Sequence, residues 1–152
     1  MKAIFEIENK SEKQVFSDLE EISKKHKTSV KKEDTGKGYF ILTNSKLQIV
    51  ESVKGNQIII QVWGASNEDI QELTNYWGQP KKLINEKPSP NDLAEEISRI
   101  PNITKMNKSD LLELLEISEK DFVRYKRLID RLAQRKNASE ELKKANEILK
   151  KF

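Results

Sequence analysis

The sequence predicts an α+β protein, in which an antiparallel sheet with two helices is followed by a small all-helical part. Three observations predict it. Residues 2–8 alternate at the period of two that a half-buried strand requires, and the short runs from Gly38 to Trp63 are rich in β-branched and aromatic residues. After residue 90 only three- and four-residue helical spacing appears. Between them Asn85-Glu86-Lys87-Pro88-Ser89-Pro90 brackets a serine with two prolines, where no apolar period survives. The expected division is an α+β domain over 1–86, a linker over 87–90 and a four-helix domain over 91–152.

Residues 2–8 place Ala3, Phe5 and Ile7 on one face, as a strand does. Ser11 with Gln14 forms a capping box, and Val15, Phe16, Leu19 and Ile22 supply the apolar stripe of a helix running to about Lys27. Gly38 to Thr43, Leu47 to Val53 and Gln57 to Trp63 are rich in β-branched and aromatic residues. Gly36 and Gly38, Asn44-Ser45 and Gly55-Asn56 punctuate them as hairpin turns, so an antiparallel meander is expected. Ser66 with Asp69 caps a second helix, whose Ile70, Leu73 and Trp77 share a face and which ends near Gly78 and Pro80.

Past the linker, Ser89 before Pro90, with Asp92 three residues on, starts a helix with Leu93, Ile97 and Ile100 on its inner side; Pro101 ends it. Asn107 with Asp110 opens a leucine-rich helix. Ser118 with Asp121 caps a long one expected to reach about Lys136, and Ser139 opens a last helix with Leu142, Ala145, Ile148 and Leu149 on one side. The long helix carries the most informative pattern in the chain. All five arginines lie beyond residue 98, and with Arg124 set to zero, Arg127, Arg131, Arg135 and Lys120 fall at about −60°, −20°, +20° and −40° around the helix axis. Leu128, Leu132, Tyr125, Ile129, Phe122 and Ala133 fill the arc from about 40° to 180°. A buried side therefore stands next to a narrow cationic stripe, and a guanidinium offers a rigid fork of donors suited to phosphate oxygens and guanine edges.

Composition narrows the remaining choices. With no cysteine there is no disulfide, thiolate metal site or cysteine nucleophile. Thirty-five per cent charged residues with a net charge of +3 describe a mixed-charge surface, so any positive field must come from local clustering. Residues 1–87 hold 14 basic and 13 acidic side chains, residues 88–152 hold 14 and 12. Arginine, not net charge, distinguishes the halves. No apolar run approaches the roughly 18 residues of a membrane span, and the N-terminus lacks a signal peptide's apolar stretch, so a cytoplasmic protein without membrane contact is expected. One histidine, His26, lies at a helix end where the dipole explains it, and without cysteine it leaves no metal site of ordinary ligands. No glycine loop cradles a phosphate. Glu33-Asp34 and Glu51 with Lys54 lack the spacing of a nuclease set and read as hairpin charges. Trp63, Tyr76 and Trp77 read as core or sheet-edge packing. We therefore expect no catalytic residue, no metal and no cofactor.

The run from Ser109 to Ile129, with Leu111, Leu112, Leu114 and Leu115 before Ile117-Ser118, resembles a helix-turn-helix DNA-binding motif. The resemblance implies that Glu119, Lys120 and Arg124 occupy base-facing positions and that Arg127 and Arg131 reach phosphates along the groove wall. At the turn, where that family commonly has glycine, stands Glu116, which must accept left-handed strain or force a different turn. Glu119 and Asp121 also place carboxylates in the first turn of the reading helix. The strand-helix-strands-helix order, with Trp63-Gly64-Ala65-Ser66-Asn67-Glu68-Asp69 leading into the second helix, resembles one half of a TATA-binding-protein-like fold. It implies helices on one sheet face and the other face, with Gln57, Gln61 and Trp63, left to a partner.

The expected function is non-enzymatic binding of nucleic acid, double-stranded DNA before RNA, in a transcriptional or replication-associated role. Its contact residues are Glu119, Lys120, Arg124, Arg127, Arg131 and Arg135, and the N-terminal domain is expected to bind a protein partner or self-associate. The alternative is an adaptor in a larger assembly, docking an acidic protein face on the same stripe.

Overall fold

The computed structural model describes residues 1–32, 38–42, 46–84 and 87–152. Glu33-Asp34, Gly36, Thr43 to Ser45 and Asn85-Glu86, just before the expected linker, lie outside the described residues. The chain divides into two compact units, Met1–Asn85 and Glu86–Phe152.

In the first unit the elements run β1 (Lys2–Ile7), α1 (Glu12–Lys25), β2 (Lys31–Lys32), β3 (Tyr39–Leu42), β4 (Gln48–Lys54), β5 (Gln57–Trp63), α2 (Asn67–Trp77) and β6 (Lys82–Ile84). The strands form one antiparallel sheet in the order β2-β3-β4-β5-β1-β6. The β3-β4-β5 meander follows from its short turns, and the two-residue Gly55-Asn56 loop pairs Lys54 with Gln57. β1 instead pairs β5, Phe5 opposite Ile60. That non-local pairing places the first strand inside the sheet. The strand at each edge is short and carries lysine, which blunts edge-to-edge association.

Both helices cover one sheet face. Val15, Leu19 and Ile22 of α1 and Leu73 and Trp77 of α2 share a core with Ala3, Phe5, Ile7, Ile41, Ile49, Ile58, Ile60 and Val62. Capping boxes at Ser11/Gln14 and Ser66/Asp69 fix both helix starts. Gly64 explains the glycine after β5: its φ is +67°, and a Cβ there would lie 2.2 Å from the Lys46 carbonyl oxygen. Of the three residues expected on the opposite face, Gln57 is half-buried, whereas Gln61 is 1% exposed and Trp63 has no exposed surface.

The second unit contains α3 (Pro90–Arg99), a 3-10 turn over Ile103–Lys105, α4 (Lys108–Leu115), α5 (Glu119–Ala133) and α6 (Glu140–Leu149). α3, α5 and α6 pack on one another. Their inner positions, among them Leu93, Ile97, Phe122, Tyr125, Ile129, Ala145 and Leu149, are the apolar stripes expected of amphipathic helices. The Tyr125 hydroxyl donates to the Pro88 carbonyl at 2.6 Å, tying the leader of α3 to α5. No helix among the described residues is long and apolar enough to cross a membrane.

Candidate nucleic-acid interface

Sequence periodicity orients α5. Phe122, Tyr125 and Ile129 are buried, centred at about 130° on the axis that has Arg124 at zero, which turns the opposite side outward. Lys120, Arg124, Arg127, Arg131 and Arg135 are all exposed. Among the described residues no hydrogen bond or salt bridge engages any of these five side chains. Other surface lysines are engaged: Lys10 with Asp18 at 2.7 Å, Lys81 with Glu6 at 2.6 Å, Lys150 with Glu147 at 2.9 Å. The arginine row is thus a concentration of cations without salt bridges, although the Arg124 charge acts on Asp121. Along α5 the 1.5 Å rise spaces Arg124, Arg127 and Arg131 over about 10 Å.

The carboxylates at the start of α5 do have partners. Asp121 takes a 2.9 Å salt bridge from Lys87 and Glu119 one of the same length from Lys108. The hydrogen bond from Lys87 holds the Asp121 carboxyl below its usual range, with Ser118 and the Lys87 and Arg124 charges adding to the effect against some desolvation. Each acid in this turn is thereby offset by a lysine outside the stripe, which lessens its repulsion of an approaching anion. Lys108 also lies over the Phe122 ring, 5.6 Å from its centroid, so it is anchored rather than an extension of the row.

The turn before α5 settles the question posed by Glu116. Glu116 adopts φ 57° and ψ 40°, the left-handed conformation that glycine would take. Its amide donates to the Glu113 carbonyl and that of Ile117 to the Leu112 carbonyl, the paired bonds of a Schellman stop. The turn is kept and the side chain bears the strain.

The expected helix length needs correction. α5 ends at Ala133 rather than near Lys136, so Arg135 lies beyond the helix and does not continue its row. The reason is local: position 136 would fall at about 120°, inside the buried arc, and it is a lysine. Helix extension there would gain no apolar burial. Lys120, Arg124 and Arg127 line one shallow hollow of about 410 Å³ together with Asp121 and Val123, whereas Arg135 borders a different one beside Leu132 and Leu142. Arg131 follows Arg127 on the helix but lines neither.

Val123 was not among the expected contacts. It is 49% exposed and borders both the Arg124 hollow and an adjoining one formed with Lys126, Arg127, Asp130, Asn146 and Lys150. The signal was present in the sequence, because Val123 falls at about −100°, outside the apolar arc.

The weaker candidates are separated by the fold. Glu51 faces the helices and is 1% exposed, while Lys54, three residues along the same strand, has opposite parity and is exposed; side chains of a strand alternate faces, so the pair does not converge. Trp77 is 8% exposed and its Nε1 donates to Asp18, so with the enclosed Trp63 it makes no open stacking platform. Comparison with protein-family models, with curated proteins and with solved structures finds no match to this chain.

Proposed function

We propose that the chain is a cytoplasmic, non-enzymatic DNA-binding protein, with α5 as the contacting helix presented by the α4-turn-α5 unit. One observation carries the reading: Lys120, Arg124, Arg127 and Arg131 stand exposed along one helix flank without an intramolecular salt bridge, while Glu119 and Asp121 in the first turn are engaged by lysines. An unpaired guanidinium row matches a regular polyanion, and a major groove about 12 Å wide admits a helix. Lys120 and Arg124 are assigned to base edges and Arg127 and Arg131 to phosphates. Glu119 holds Lys108 through Oε1 and keeps Oε2 to accept from cytosine N4. Arg135 is assigned to a phosphate contact from beyond the end of the helix.

The test is an electrophoretic shift with random duplex DNA, single-stranded DNA and RNA at several salt concentrations. The wild-type chain is expected to shift duplex DNA in a salt-dependent manner, and replacement of Arg124, Arg127 and Arg131 by glutamine to weaken it by orders of magnitude with the circular dichroism unchanged. Equal binding by the triple variant overturns the assignment of this surface. The adaptor reading is favoured by Val123, an exposed apolar side chain beside the row that suits a protein contact. It gains if no nucleic acid is shifted.

A further inference from the structure

A second cluster lies in the first unit. His26 stands at the end of α1, and Asp69 and Glu72, three residues apart on α2, face it. All three are half-buried, and their ligand atoms lie within 4.8 Å of one another. His26 Nε2 is 3.5 Å from Glu72 Oε2. The other Glu72 oxygen, Oε1, is buried with no hydrogen-bond partner. An anionic oxygen removed from water and left without a donor is a position a cation satisfies. Asp69 Oδ2 accepts from the Ser66 amide at 2.9 Å, which fixes the carboxylate and leaves acceptor capacity on it.

We propose that His26, Asp69 and Glu72 form a binding site for a divalent transition-metal ion of the zinc class. Ligands about 2.0–2.2 Å from a tetrahedral zinc stand roughly 3.4 Å apart, so His26 and Glu72 are already at that separation. Asp69 needs to close by about 1.4 Å at most, within the reach of a side-chain rotation. One imidazole nitrogen with two carboxylates suits zinc, nickel or cobalt, whereas magnesium and calcium take oxygen alone. Three protein ligands leave a fourth position for water. The ion joins the last turn of α1 to the first turns of α2, two elements 41 or more residues apart in sequence. Lys25, whose amine donates to Tyr76 and whose charge reaches Glu72, lowers the affinity of the site without occupying it. Counting only histidine and cysteine hid this cluster in the sequence, because carboxylate ligands are too common to be read from spacing.

His26 is the only histidine, so its ring proton resonances report on the site without assignment. The full chain, stripped with chelator, is titrated with ZnCl2, with MgCl2 as control, by calorimetry, thermal melting and proton NMR. One-to-one zinc binding, a raised Tm and shifted His26 ring signals are expected, with zinc affinity at least tenfold weaker in His26→Ala and in Glu72→Gln, both still folded by circular dichroism. Either variant alone suffices if the other fails to fold. Unshifted ring signals overturn the proposal, as does zinc binding by a folded variant equal to that of the wild type.

Discussion

Glu116 shows how much a single backbone conformation contributes to the turn between α4 and α5. A residue with a Cβ in the left-handed region carries strain of about 1 kcal/mol, which glycine lacks. Glu116→Gly is therefore expected to raise unfolding stability in urea by up to about 1 kcal/mol, less whatever glycine's freer unfolded chain takes back, while Glu116→Ala gives no such gain. Glu51 illustrates the opposite relation between side chain and surroundings. It occupies a helix-facing position between Ile49 and Val53, and burial, with the Glu12 charge adding to it, pushes its carboxyl up to about 7. Because the folded value lies above the unfolded one near 4.5, the folded state binds the extra proton between those values. The contribution of the neutral acid is complete below about 4.5, declines as pH rises towards 7 and is lost above it. Glu51→Gln should flatten that part of the stability-pH curve and stabilise the protein at pH 8, with about 3 kcal/mol as the ceiling set by the shift. Urea unfolding at pH 5 and pH 8 checks it; equal pH dependence in variant and wild type contradicts the assignment.

At the scale of the element, α5 is largely explained by its own residues. Ser118 caps it, accepting from the Asp121 amide at 3.1 Å, and the inward positions Phe122, Tyr125 and Ile129 orient it. The outward position of the arginines is then a geometric consequence. If α5 lies along a polyanion, each arginine that neutralises one phosphate contributes about 0.9 to the log-log salt slope of binding. The triple glutamine variant should therefore lose a slope of about 2, from the phosphate-assigned Arg127 and Arg131, a quantity that a general loss of folding would not reproduce. The element's end was the part least legible. Arg135 continues the angular pattern on paper, but the pattern contains no information about whether another turn has anything to bury.

For the whole molecule, the two tryptophans report on enclosure. Trp63 and Trp77 belong to different elements, and both are at most 8% exposed. The folded chain should thus show blue-shifted tryptophan emission and little quenching by iodide, with both changing on urea unfolding; strong iodide quenching of the folded chain contradicts their placement. Local chemistry was legible in several places: the serine caps at Ser11, Ser66, Ser89, Ser118 and Ser139, the alternation in β1, and the tight Gly55-Asn56 turn all act between residues a few positions apart. β6 was not legible, since Lys82-Leu83-Ile84 is too short to display a period and is held by β1, some 80 residues earlier. The same limit applies to the candidate sites. The sequence by itself determined the helical register of Lys120, Arg124, Arg127 and Arg131, because 3.6 residues per turn and an apolar opposite side leave those residues one direction to face. Only the tertiary structure decided that Glu51 and Trp63 are enclosed, that the acids beside the arginines are paired, and that His26 meets Asp69 and Glu72, because burial and charge pairing depend on segments brought together from distant parts of the chain.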